Sequence, residues 1–127
     1  MSEDAMPVIE GSCHCGAVSF SISEAPEVLV DCNCSICRRI GALWGHIEIE
    51  NASISKPDDG TIAYIQGDRK LAIHSCKQCG CTTHWENLAP DEYTHMAVNF
   101  RMCDPQTRER FRTRPFDGAD TWRFLDE

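Results

Sequence analysis

Eight of the chain's nine cysteines fall in three tight clusters, Cys13-His14-Cys15, Cys32-Asn33-Cys34-Ser35-Ile36-Cys37 and Cys76-Lys77-Gln78-Cys79-Gly80-Cys81. Cysteines one or two residues apart present their sulfurs from one tight turn, close enough to share a tetrahedral ion. A glycine such as Gly80 eases that turn and exposes backbone amides to the thiolates. Buried free thiols would be scattered instead, and an odd total excludes complete disulfide pairing. Two pairs make a closed four-thiolate site. A three-cysteine cluster left over makes an open one, whose fourth position takes water or a substrate thiol. Zinc is the default ion for such donors, with an iron–sulfur cluster as the minority option. Spacing alone does not set which pairs share an ion, or whether Cys81 or a histidine closes the second site.

The rest of the composition makes a metal useful to the fold. The 42% of hydrophobic residues includes the nine cysteines, which leaves roughly a third of the chain as ordinary core formers, a thin core for one domain. Structural zinc supplies about 10–16 kcal/mol of apparent binding energy in small sites, enough to offset that deficit. With 127 residues the expectation is a single zinc-binding domain spanning 1–127. The start, Met1-Ser2-Glu3-Asp4-Ala5-Met6-Pro7, is acidic and leads into no apolar stretch, so no secretory signal is read. No apolar run approaches the ~18 residues of a membrane span. The expected setting is cytoplasmic, where clustered thiols mean metal or redox chemistry more often than disulfides.

Alternation at period two dominates locally. Val18, Phe20 and Ile22 alternate with Ser19, Ser21 and Ser23, and Ile47 and Ile49 with Glu48 and Glu50, so both stretches read as half-buried strands. Short strands are also expected at 27–31, 61–66, 70–75, 81–85 and 93–99, separated by turns such as Lys56-Pro57-Asp58-Asp59-Gly60. Helix signals are few. Ser35 is a candidate cap for a turn carrying Ile36, Ile40, Leu43 and Trp44, interrupted by Gly41, and Asp104-Pro105 is a second start. The fold class is therefore mainly β, a domain of short antiparallel strands with little helix.

These residues carry a resemblance. Gly11-Ser12-Cys13-His14-Cys15-Gly16-Ala17-Val18 with Phe20, then Cys32-Asn33-Cys34-Ser35-Ile36-Cys37-Arg38-Arg39 with Gly41, then Cys76 and Cys79-Gly80, resemble the glutathione-dependent formaldehyde-activating enzyme family over about residues 8–100. The resemblance implies a β-tent-like fold holding two zinc ions. It places Cys13, Cys15, Cys76 and Cys79 on a structural ion, and Cys32, Cys34 and Cys37 on a catalytic one. The implied reaction adds the thiol of glutathione to formaldehyde, giving S-(hydroxymethyl)glutathione, or runs in reverse as a carbon–sulfur lyase. A site of three thiolates on one zinc carries a net −1, which favours delivery of a bound thiolate over activation of the carbonyl. Glutathione has two carboxylates, and Arg38 and Arg39, beside the open cluster, are the first candidates to meet them. Residues 114–122 depart from the family's ending, and Cys81 and Cys103 are extra.

Two competing readings remain at this level. A zinc-stabilised interaction module would have its second site closed by a protein ligand. Arg101-Met102-Cys103-Asp104 faintly resembles the arginine–cysteine signature of zinc-bearing methionine sulfoxide reductases, although packing is the simpler role for Cys103. His14 lies between two ligands, and His46, His74, His84 and His95 fall on expected strands, where a hydrogen-bonded histidine is the usual explanation. The alternating Arg108, Arg110, Arg112 and Arg114 read either as a solvated face or as an anion-binding edge.

The formal charge is −8. One zinc on four thiolates adds −2 and one on three adds −1, which brings the total to about −11. Nucleic-acid affinity requires the opposite sign. Binding to duplex DNA at physiological salt is accordingly expected to be undetectable by fluorescence anisotropy, and a micromolar complex would contradict the charge argument.

Overall fold

The structure, a computed structural model, describes residues 9–126. Ten strands and two one-turn helices follow in the order β1 (Ile9–Ser12), β2 (Ser19–Ile22), β3 (Leu29–Cys32), α1 (Cys37–Ile40), β4 (Trp44–Glu48), β5 (Ala52–Ser55), β6 (Thr61–Ile65), β7 (Leu71–Cys76), β8 (Thr82–Asn87), β9 (His95–Asn99), α2 (Pro105–Arg108) and β10 (Thr113–Phe116). The mainly β expectation with little helix holds. β1, β2 and β5 form one sheet, and the other seven strands form a second in the order β10-β3-β4-β9-β8-β7-β6. One pairing departs from the antiparallel expectation, because β10 runs parallel to β3. Among the described residues no helix is long and apolar enough to cross a membrane.

The serine alternation places β2. Its register aligns Ile9, Ile22 and Ala52 in one row, and Ser12, Ser19 and Ser55 in another. Phe20 and Ile22 are buried, so the apolar rows turn inward and the hydroxyl rows outward. The serines Ser12, Ser19, Ser21, Ser53 and Ser55 line an outer groove of about 430 Å³ to which no cysteine contributes. Inside, Phe20, Ile22, Leu29, Trp44, Met96 and Phe100 join the two sheets in one apolar cluster.

The second alternating stretch ends early. Ile47 is buried in β4, but Ile49 begins a 3-10 turn and is 39% exposed, because the chain there leaves the large sheet to enter β5 in the small one. Gly41, in the left-handed conformation at φ 68°, donates its N–H to the Cys37 carbonyl and stops α1 after one turn. Leu43 and Trp44 therefore lie outside the helix, and Trp44 opens β4. Asp104 does occupy the N-cap position of α2, although its side chain makes no capping hydrogen bond, with Pro105 in the first turn.

Phe100 is fully buried and lies against Gly45 of β4. A Cβ on Gly45 would fall 2.7 Å from Phe100 Cδ1. Gly45→Ala is therefore expected to destabilise the protein by about 1–3 kcal/mol through overpacking, a loss that chemical denaturation of the metal-loaded chain would measure.

Candidate metal centres

The first cysteine group is assembled at the ends of β1 and β7. β1 stops at Ser12, and the next residues fold back through a turn in which the Gly16 N–H bonds the Cys13 carbonyl (3.1 Å) and the Cys13 N–H the Val18 carbonyl (2.9 Å). Gly16 holds φ 84°, and Gly80 holds φ 82° in the matching turn after β7, where the Gly80 N–H bonds the Cys76 carbonyl (2.9 Å). The Sγ atoms of Cys13, Cys15, Cys76 and Cys79 all lie within 4.8 Å of one another. Two edges measure 3.7 Å (Cys13–Cys15) and 3.6 Å (Cys15–Cys76). A tetrahedron of sulfurs about 2.3 Å from zinc has edges of about 3.8 Å, so the spacing fits that ion.

The surroundings of these thiols favour negative charge. The Val18 N–H donates to Cys13 Sγ and the Gln78 N–H to Cys76 Sγ, both at 3.3 Å. Backbone amides of Cys15 and Cys81 pull the Cys79 thiol down to about 5. At Cys15 the Ala17 amide acts in the same direction, but lost solvation and the thiols of Cys76, Cys13 and Cys79 outweigh it and push the group up to about 12. Crowded sulfurs cannot all ionise without a cation between them. Cys13 and Cys76 are buried and, with Val18, form a small apolar cluster of their own.

The second group sits where β3 runs into α1. Cys32 ends the strand, Cys37 opens the helix, and the Sγ atoms of Cys32, Cys34 and Cys37 lie within 4.8 Å of one another, all half-buried. The Cys34 N–H points at Cys32 Sγ (3.5 Å), the Cys37 N–H at Cys34 Sγ (3.4 Å) and the Trp44 indole N–H at Cys37 Sγ (3.3 Å). Hydrogen bonding from Cys37 draws the Cys32 thiol down to about 6, and the same contact drives Cys37 far up. Among the described residues no fourth His, Cys, Asp or Glu ligand atom joins this group. The donor chemistry of both groups, soft and thiolate-only, fits zinc.

The remaining candidates are distributed elsewhere. Cys81 packs against the first group, with its thiol beside Cys79. The histidines serve the sheet. His74 bonds Thr61 Oγ1 and Glu86 Oε1 at 2.8 Å each, and its ring stacks on His84 at 4.7 Å. Burial lowers His84 to about 3 and His46 to about 4, which keeps both neutral. Cys103 is buried, and that burial raises its thiol to about 11, unsuited to attack on a sulfoxide. Arg112 and Arg114 both reach Asp126, at 2.7 and 3.0 Å, so the chain's own carboxylate occupies that part of the suggested anion-binding edge. Arg38 and Arg39 are exposed on α1, Arg39 donating to the Ser35 carbonyl at 2.7 Å, and Arg38 has no ion-pair partner among the described residues.

Sequence reading missed Trp44 as a donor to Cys37, and it missed Gly118. A Cβ at Gly118 would stand 2.5 Å from Cys32 Sγ. The Trp44 contact follows from the end of α1, and the Gly118 contact needs the β10–β3 pairing, which has no local signal.

Fold and site together define a mainly β protein with two thiol groups that could each hold a metal ion. Residues 8–115 match the model of the glutathione-dependent formaldehyde-activating enzyme family, and the chain belongs to that family. A putative glutathione-dependent formaldehyde-activating enzyme of Halomonas elongata is 32% identical over 80 residues, 62% of this chain and 47% of that protein. The chain thus spans about half the length of this curated relative. A crystal structure of a Rhodobacter sphaeroides protein shares the fold, with a TM-score of 0.66 and 24% identity, over 83% of this chain and 99% of that one.

The two groups differ in how the fold depends on them. Cys76 is itself buried and lies in a four-sulfur set that ties together the ends of two sheets, whereas Cys34 lies in a half-exposed set within one local segment. Cys76→Ser is expected to lower the thermal midpoint by several times as much as Cys34→Ser, as read by calorimetry of the zinc-loaded proteins. Equal losses would mean that both groups are structural.

Proposed function

We propose that this protein is a zinc-dependent carbon–sulfur lyase, adding a low-molecular-weight thiol such as glutathione to an aldehyde such as formaldehyde. In this reading the chain is one domain carrying two zinc ions. Cys13, Cys15, Cys76 and Cys79 hold the structural ion, and Cys32, Cys34 and Cys37 hold the catalytic one. The observation that carries the reading is the contrast between a group of four sulfurs and a half-exposed group of three without a fourth protein ligand among the described residues. Family membership supplies the chemistry to test.

A zinc ion held by Cys32, Cys34 and Cys37 would supply a position at which an incoming thiol stays deprotonated at neutral pH. The protein's own groups set up that exchange. N–H donors from Cys34, Cys37 and Trp44 each reach one of the three sulfurs and withdraw negative charge from them, so that the site tolerates a further anion. Arg38 and Arg39 flank it with two positive charges for the carboxylates of the thiol substrate. In the forward direction the sulfur forms a bond to the aldehyde carbon, the carbonyl π bond breaks, and the proton given up by the thiol ends on the new hydroxyl. The reverse reaction cleaves the same carbon–sulfur bond.

Metal analysis should give two zinc equivalents per chain. X-ray absorption should then show one zinc changing from three sulfurs and a light atom to four sulfurs when glutathione is added. Exchange NMR should show hemithioacetal equilibration faster than the uncatalysed rate, with the excess lost in Cys34→Ser. Arg38→Ala should raise KM with little change in kcat, because a carboxylate contact made equally in ground and transition states acts on binding. A zinc indifferent to every small thiol would replace this reading with the non-catalytic zinc-stabilised module. Thiol binding without faster formaldehyde exchange would retain the lyase and change the aldehyde.

A further inference from the structure

Residues 116–126 lie beyond the family match, yet part of this segment is packed directly on Cys32. β10 runs parallel to β3 with Phe116 opposite Cys32, and the Asn33 N–H donates to the Phe116 carbonyl at 3.1 Å. Asp117 then starts a loop. Its Oδ1 accepts from Asn33 Nδ2 (3.1 Å), and Asn33 Oδ1 accepts from the Ala119 N–H (3.0 Å). The side chain between two of the three thiols is therefore bonded at both ends to the C-terminal loop. Asp117 Oδ2 accepts from the N–H and the hydroxyl of Thr121, at 3.2 and 2.9 Å. Two backbone bonds of 2.8 Å, Trp122 N–H to the Asp117 carbonyl and Asp117 N–H to the Arg123 carbonyl, close the loop.

This order is maintained against strain and exposure. Trp122 adopts φ 58°, a left-handed conformation that costs a non-glycine residue on the order of 1–3 kcal/mol, while its indole stays 74% exposed. Little apolar burial is gained in return. What the loop does secure is the placement of Gly118, whose backbone lies against the Cys32 thiol and whose missing side chain leaves room for Cys32 Sγ and for Cys34 Cβ, 2.5 and 3.3 Å from where a Cβ would stand.

We propose that Asn33, Asp117 and Gly118 are positioning residues for the three-thiol site, a clamp that holds the Gly118 backbone on Cys32 Sγ and thereby raises the affinity of the site for a substrate thiol. Cys32 Sγ receives the Cys34 N–H at 3.5 Å and is packed against the Gly118 backbone. A sulfur with such partners donates less charge to a metal, which leaves more affinity for an external fourth ligand. The proposal rests on the thiol-binding reading above.

The full chain loaded with cobalt(II) tests it, because sulfur-to-cobalt charge-transfer bands report ligand donation directly. In Asp117→Ala those bands should shift, and the dissociation constant for glutathione, titrated through the cobalt spectrum, should rise by about 10-fold or more. Metal content should stay at the wild-type level. Asn33→Asp should do the same, since two carboxylates then face each other. Combining Asn33→Asp with Asp117→Asn restores a donor–acceptor pair, leaves Ala119 and Thr121 their acceptors, and should bring bands and affinity back to within about threefold of wild type. Unshifted bands in Asp117→Ala, or a double variant as weak as the singles, would overturn the clamp. Should wild type bind no thiol at all, the lyase reading fails, while the charge-transfer shift and its reversal in the double variant still decide the clamp.

Discussion

Repulsion among crowded thiols is the constraint to which the rest of this structure answers. Seven sulfurs stand in two groups, each within 4.8 Å internally, and neighbouring groups at that distance ionise only at one another's expense. The opposed behaviour of Cys32 and Cys37 is that expense made visible. A cation held between the sulfurs would remove it, and both groups are spaced so that they could hold one. The cluster around Cys13, Val18 and Cys76 has few other apolar members, so a metal ion held by these sulfurs would stand in for hydrophobic burial where the ends of β1 and β7 meet.

Around both groups the protein uses backbone amides more than charged side chains. Val18, Cys34, Cys37 and Gln78 each direct a backbone N–H at a sulfur, and the Trp44 indole N–H joins them. Amide dipoles stabilise thiolates without adding a full positive charge, so in the proposed reading a net-negative site would keep its ligands and still accept another anion. Full positive charges stand farther out. Arg38 and Arg39 are exposed on α1, whereas Arg112 and Arg114 are held by Asp126 and stabilise the C-terminal end.

Much of the candidate site was legible because metal-binding turns are local. Cys-X-Cys and Cys-X-X-Cys spacing, with Gly16 and Gly80 at positive φ, brings two sulfurs of each turn together whatever the distant chain does. The alternation of Phe20 and Ile22 with serines likewise named the buried face of β2. Reading ran short where a strand's end depends on its neighbours. Ile49 continues the alternation of β4, but the chain must change sheets there, and the turn exposes it. β1 and β10 carry Gly11 and Pro115 within four residues, so no alternation marks them, and the alternation of Ala52 and Ile54 with serines in β5 went unread.

By itself, then, the sequence determined that the chain is mainly β, that its cysteines form local turns able to hold a metal ion, and that a surplus cluster of three remains. Those properties follow from spacing, period and residue chemistry over a few neighbouring positions. Tertiary structure alone decided that Cys13 and Cys15 join Cys76 and Cys79, some sixty residues away, that Cys81 packs beside that set, and that Asn33 and Cys32 are gripped by Asp117 and Gly118. Contacts between remote segments depend on which strands pair, and the pairing energy is spread over the whole core, so no short stretch of residues encodes it.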